Sequence, residues 1–147
     1  MSSLRHEYPL LIIERHLDTF GHVNNATYLE IFEQARWQWI TEGGFGLERV
    51  RELGQGPTVL ECELHFRREL RNRARVNVTS EIVSYVGKIA RLHQEIQLDS
   101  GDVACDADFV VGLFDTKQRK LIDPTPEWLA SVGLRVEDWQ ARSKPGA

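Results

Sequence analysis

The chain is short of three things, and each shortage narrows its function. Its net charge of -4 over 147 residues leaves no basic surplus, which argues against a general nucleic-acid or anionic-membrane binder but permits a local basic patch. Only two cysteines are present, Cys62 and Cys105. Both fall in strand-like patterns without metal-ligand spacing, predicting two small buried residues in a reducing compartment. No apolar run approaches membrane-spanning length, and the opening MSSLRHEYPL lacks an apolar core followed by a cleavage site. A soluble, cytoplasmic protein is expected. Internal repeats and low-complexity linkers are also missing. One domain over 1–147 is predicted, a length that buries roughly 70% of its unfolded-chain surface, with a short irregular or helical tail from about residue 124.

What is present begins with an apolar segment from Tyr8 to Ile13, read as a strand covered on both faces. A helix is predicted from roughly Asn25 to Glu42, with Tyr28, Ile31, Phe32, Ala35 and Trp39 on one stripe widened by Leu29 and Ile40. Steps of about 100° put Arg36 inside that arc, where a guanidinium needs a partner, and Glu33 is the nearest carboxylate. The helix stops at Gly43-Gly44, a shorter helix follows over Leu47 to Leu53, and Gly54-Gln55-Gly56-Pro57 breaks it. The period then changes to alternation. Leu60, Cys62, Leu64 and Phe66 share one face; Ala74, Val76, Val78 and Ile82 repeat the pattern; Ala90, Leu92, Ile96 and Leu98 follow; Val103 to Leu113 is the fourth such segment. After Asp115 the pattern fades, leaving Pro126 to Ser131 and Glu137 to Arg142 as short tail elements. One strand, one apolar helix and four alternating strands make an α+β plan in which an antiparallel sheet buries a single helix.

The stretch RHLDTFGHVNNATYLEIFEQAR, Arg15 to Arg36, sets a carboxylate, a glycine turn and a helix start in succession. Asp18 and His22 precede the first helical turn, Gly21 permits a sharp bend, and Asn24, Asn25 and Thr27 are each able to cap a helix. Thr27 with Glu30 also spells the T-x-x-E capping box. Unpaired N–H groups and the positive dipole end at a helix N-terminus stabilise negative charge developing on a substrate oxygen. Beside them Asp18, ionised at neutral pH, either attacks a carbonyl or deprotonates a water that does; its structural alternative is an Asx-turn. His22 orients a carbonyl or water, or serves as a loop histidine bonded to backbone. His16, Asp18 and His22 match no strong metal motif, so no metal is expected.

Asp18, Gly21, His22, Val23, Asn24, Asn25 and Tyr28, followed by Glu33, Ala35 and Arg36, resemble the DxxGHVNNxxY signature and E-x-AR helix of the 4-hydroxybenzoyl-CoA thioesterase-like branch of the hotdog-fold family. The resemblance implies a hotdog fold, with sheets paired edge to edge in a homodimer or homotetramer and sites at the subunit interface. It implies an acyl-CoA thioesterase that releases a carboxylic acid and free CoA. Asp18 is then general base or nucleophile, the Asn25 N–H the oxyanion donor, and His22 and Asn24 their support. A thiolate leaves with less need of a general acid than an alkoxide does, so one carboxylate and an oxyanion site suffice. No cofactor is implied beyond the CoA of the substrate. An enzyme acting on acyl carrier protein and a non-catalytic thioester-binding protein are the alternatives.

Under the same resemblance Tyr28 and Phe32 line an acyl or aryl pocket, or simply belong to the core. Glu33 is a second catalytic carboxylate or the partner of Arg36, while Trp37 and Trp39 pack. Arg67, Arg68, Arg71, Arg73 and Arg75 concentrate basic charge around one turn. A solvated turn accounts for them; alternatively Arg71 and Arg73, with Lys88, hold the CoA phosphates, to which arginine forks are suited.

Overall fold

The alternating segments after residue 55 become long strands because each has one apolar face to bury and β-branched residues that suit a pleated surface. The computed structural model describes residues 4–141. In chain order they form β1 (His6–Leu11), α1 (Asn25–Glu42), α2 (Leu47–Leu53), β2 (Gln55–Phe66), β3 (Arg75–Val86), β4 (Ile89–Leu98), β5 (Val103–Asp115), β6 (Lys120–Ile122) and α3 (Pro126–Ser131). Single 3-10 turns occur at Glu14–His16 and Val136–Asp138. All pairings are antiparallel, in the order β1-β3-β4-β5-β2, and β6 pairs with the end of β5. No described helix is long and apolar enough to cross a membrane.

The central helix α1 lies on the sheet as its apolar stripe requires. Tyr28, Ile31, Phe32, Ala35, Trp39 and Ile40 are buried against Val78, Ile82, Leu92, Ile96 and Phe109. Phe32 meets Phe109 edge to face, with centroids 5.9 Å apart. Glu33 is not the partner of Arg36, contrary to the helical-wheel expectation. The guanidinium instead donates to Gln94 Oε1 at 2.9 Å and lies 4.4 Å from the Phe109 ring centre. Gln94 sits on the inward face of β4, wholly buried, and donates to Ser80 Oγ and the Phe32 carbonyl.

Several sequence expectations need correction. The strand β1 is an edge that pairs only with β3, and its exposure alternates; it is not covered on both faces. In β2 the register shifts between Val59 and Glu61, so Leu60 drops out of the predicted stripe. Cys62 is exposed, whereas Cys105 is buried as predicted, and burial pushes its thiol up to about 12. Both are free. The uncovered strip arises because β2 lies at the outer edge: Val59 and Phe66 are 44% and 51% exposed. Strand β6 escaped notice because three residues are too few to show a period. Of the predicted tail elements α3 forms over Pro126–Ser131, but Glu137 and Asp138 lie in a 3-10 turn and Arg142 falls outside the described residues.

The two glycines ending α1 do different work. Gly44 takes φ +90, a conformation that disfavours side chains. Gly43 has an ordinary φ of -80, yet a Cβ there would overlap the Ser131 backbone of α3. Gly43→Ala is therefore expected to lower unfolding stability by about 1–3 kcal/mol, read from urea denaturation, by forcing α3 off the helix end.

On the outer face of the sheet His93 has both ring nitrogens against carboxylates, Nδ1 to Asp108 at 2.8 Å and Nε2 to Glu95 at 2.9 Å. Arg91 stands two residues away on β4 and Glu81 opposite on β3. Burial pulls the ring down, but the hydrogen bonds to Glu95 and Asp108 together outweigh it and hold the imidazolium above its ordinary value. A folded-state pKa above the unfolded one contributes stability that is complete below the unfolded pKa, about 6.5, and disappears as pH rises through the folded value. The urea midpoint of the wild type should therefore fall between about pH 6 and pH 9 more than that of His93→Gln.

Candidate active site

A small closed loop leads into α1. Leu17 and Val23 form an isolated bridge, the Asp18 N–H donates to the His22 carbonyl at 2.8 Å, and Gly21 makes the turn at φ +79. Nothing lies within 4 Å of a Cβ at Gly21, so the backbone conformation, not space, calls for glycine there. One oxygen of Asp18 organises the loop: Oδ1 accepts from the N–H groups of Phe20 at 2.9 Å and His22 at 3.2 Å. The Asx-turn reading and an available carboxylate thus coexist, since both bonds fall on one oxygen. Phe20, at the loop tip, is 83% exposed.

The loop ends at Asn24, which caps α1. Its Oδ1 accepts from the Thr27 N–H at 3.0 Å, and the T-x-x-E box built on Thr27 does not form. Asn25 is consequently the first residue of the helix. Among the described residues its N–H and that of Ala26 have no acceptor, and the first turn carries no acidic side chain to occupy them. Ala26 was missed in the sequence because alanine carries no polar signal; its contribution is entirely backbone.

The His22 ring pairs with Glu69, in the segment between β2 and β3. Glu69 was likewise not anticipated, because 47 positions separate it from His22. His16 is buried and its Nδ1 accepts from the Ile13 N–H at 2.9 Å. Burial, then the nearby Arg15 charge, pushes this imidazole below its ordinary value.

The basic turn lies on the same side as the Asp18 loop: the Arg73 N–H donates to the Ile12 carbonyl, and Ile12 to Ala74. Arg73, at φ 64, is paired with Glu14, Arg67 with Asp106 and Arg68 with Asp102. Arg71 is exposed and forms no ion pair among the described residues. Lys88 does not join this group. It follows β3 at the other end, and twelve residues of strand separate the two ends by roughly 36 Å.

Tyr28 and Phe32 belong to the core, not to a cavity lining. Tyr28 is 5% exposed with Phe66 edge-on at 5.2 Å, and Phe32 is fully buried. A cavity of about 370 Å³ lies between the second half of α1, the start of β2 and α3. Glu33, Arg36 and Trp37 line it from the helix, Val59 from β2, Trp128 and Val132 from the C-terminal segment. Sequence periodicity gives no sign of it, since a cavity is the space left between elements far apart in the chain.

Comparison with known proteins agrees with the fold. Residues 14–133 match the model of the thioesterase-like superfamily. The long-chain acyl-CoA thioesterase FadM of Escherichia coli is 32% identical over 108 residues, 73% of this chain and 81% of that protein. The crystal structure of YbaW, a probable thioesterase from Escherichia coli, superposes with a TM-score of 0.76 at 27% identity, covering 86% of this chain and 98% of that one. A Staphylococcus aureus protein solved in complex with CoA superposes at 0.83 with 16% identity, over 99% of this chain and 92% of its own, a likeness of fold. The α+β hotdog arrangement expected from the sequence stands, and the chain belongs to the thioesterase-like superfamily.

Proposed function

We propose that the chain is an acyl-CoA thioesterase in which the Asp18 loop and the start of α1 form the reactive centre. The observation that carries the reading is a carboxylate with one uncommitted oxygen in the loop that leads into a helix whose first two N–H groups lack acceptors among the described residues. The free oxygen of Asp18 adds to the thioester carbon, or takes a proton from a water that adds there. The carbonyl oxygen becomes an oxyanion, held by the Asn25 and Ala26 N–H groups and the positive end of the α1 dipole. Its collapse breaks the carbon–sulfur bond and expels the CoA thiolate. Water supplies the oxygen of the released acid, directly or by hydrolysing the acyl-Asp18 anhydride. Asn24 positions the donors as cap, and Glu69 fixes the His22 ring at the edge of the site.

Free-thiol release from short, long and aromatic acyl-CoA substrates tests the reading; turnover of none of them would overturn it. Arg71 is the proposed phosphate contact, since it is exposed in the turn beside the Asp18 loop and forms no ion pair among the described residues. Arg71→Glu should raise KM for an acyl-CoA about tenfold while leaving a thioester without the nucleotide unaffected. Equal effects on both would remove that assignment.

The uncovered strip of Val59, Cys62 and Phe66 beside an unpaired strand edge supports a homodimer formed through β2. The two free cysteines support a reducing, cytoplasmic setting, and the chain is read as one domain.

A further inference from the structure

One wall of the cavity carries a charge that the fold positions without neutralising. Arg36 donates Nη1 to Gln94 Oε1 at 2.9 Å, and Gln94 is itself locked by Ser80 Oγ at 2.9 Å and the Phe32 carbonyl at 3.1 Å. The Phe109 ring supports the guanidinium from one side. Five N–H donors are thus fixed in direction, with a neutral amide as their side-chain partner. Glu33 lines the same cavity but is exposed and beyond ion-pair distance, acting on Arg36 only through space. Holding a cation beside apolar walls is costly, and a hydrophobic residue could pack on Phe109 in its place. Arg36 lines a space of about 370 Å³ bounded also by Trp37, Ile40, Val59, Leu92 and Trp128, a size suited to a small ligand. Its floor is rigid: the Trp128 indole donates to Tyr85 Oη at 3.0 Å and packs edge-on against Phe45.

We infer that this cavity receives the acyl group and that Arg36 binds an oxygen carried on the acyl chain away from the thioester. The substrate class is accordingly an oxygenated acyl-CoA, bearing a carboxylate or hydroxyl, in preference to a plain hydrocarbon chain. Arg36 lies about 16 Å along the helix from Asn25 at 1.5 Å per residue, a distance that an extended chain covers. This inference rests on the acyl-CoA reading for the site of hydrolysis, though not for binding.

The test compares acyl-CoA series of matched length ending in methyl, hydroxyl or carboxylate, with wild type and Arg36→Met. Wild type should favour an oxygenated series at least tenfold in kcat/KM, and the ratio should fall to near one in Arg36→Met. Whichever series responds identifies the group: carboxylate for an anion, hydroxyl for a group that also donates to Glu33. Equal hydrolysis of methyl-terminated chains, or an unchanged ratio in the variant, overturns the inference. Unreactive CoA thioethers carrying the same three chain ends, tested by thermal shift, separate it from the catalytic reading. Preferential stabilisation by the oxygenated thioether without any thioester turnover would uphold the cavity and overturn the enzyme; turnover without preference would do the reverse. Should Arg36→Met fail to fold, Val132→Phe fills the floor and should abolish the extra shift given by the oxygenated thioether; a retained difference overturns the inference.

Discussion

Asp18→Asn is expected to lower kcat for acyl-CoA hydrolysis by about 10²- to 10⁴-fold with little change in melting temperature. The separation of the two effects follows from how the side chain is used. Oδ1 accepts the Phe20 and His22 N–H groups and closes the loop; asparagine retains a carbonyl oxygen able to accept both. It loses the charge and basicity of the carboxylate, which the proposed chemistry requires. Asp18→Ala would remove both roles and open the loop, so its lower activity would be uninformative. Steady-state thiol release and thermal melts on the same preparations check the prediction. Full activity in Asp18→Asn would exclude Asp18 as the reacting group and direct attention to Glu33.

Phe32→Ala should produce the largest loss of stability, about 3–5 kcal/mol, visible as a fall of roughly 10 °C in melting temperature. The ring is wholly buried, meets Phe109 edge to face and belongs to the central cluster. The sequence left two roles open for it, pocket lining or core, and this experiment discriminates them. A core residue lowers stability whatever the substrate. A lining residue would change the ranking of acyl groups with little effect on melting. The Phe32 carbonyl also accepts from Gln94, so a collapse of the helix into the vacated space would disturb the support of Arg36 as well.

The sequence revealed what periodicity encodes. Residues of α1 recur at helical spacing and those of β2 to β5 at alternating spacing, so both elements and their buried faces could be read directly. The loop was legible because its chemistry is local: Asp18, Gly21, His22 and the cap fall within seven positions. What failed depended on the third dimension. Arg36 was given a neighbouring carboxylate because helical geometry brings Glu33 close, whereas the sheet brought Gln94 from 58 positions away. The bulge at Leu60 shifted one strand by a residue, and no alternation rule anticipates that. Lys88 was grouped with Arg71 by charge, and the length of β3 separates them.

The segment after residue 124, where pattern fades, is more than an appendage. Trp128 and Val132 close the cavity, Trp139 Nε1 donates to the Gly87 carbonyl at 2.8 Å, and Gln140 pairs with Val86. Under the proposed mechanism, the reaction and one wall of the acyl cavity are therefore encoded at opposite ends of the chain. Evolution could resize the cavity through a handful of late residues while the early loop and Arg36 remained untouched, and a chimera that exchanged only this segment would carry its donor's limit on acyl size on the recipient's catalytic apparatus.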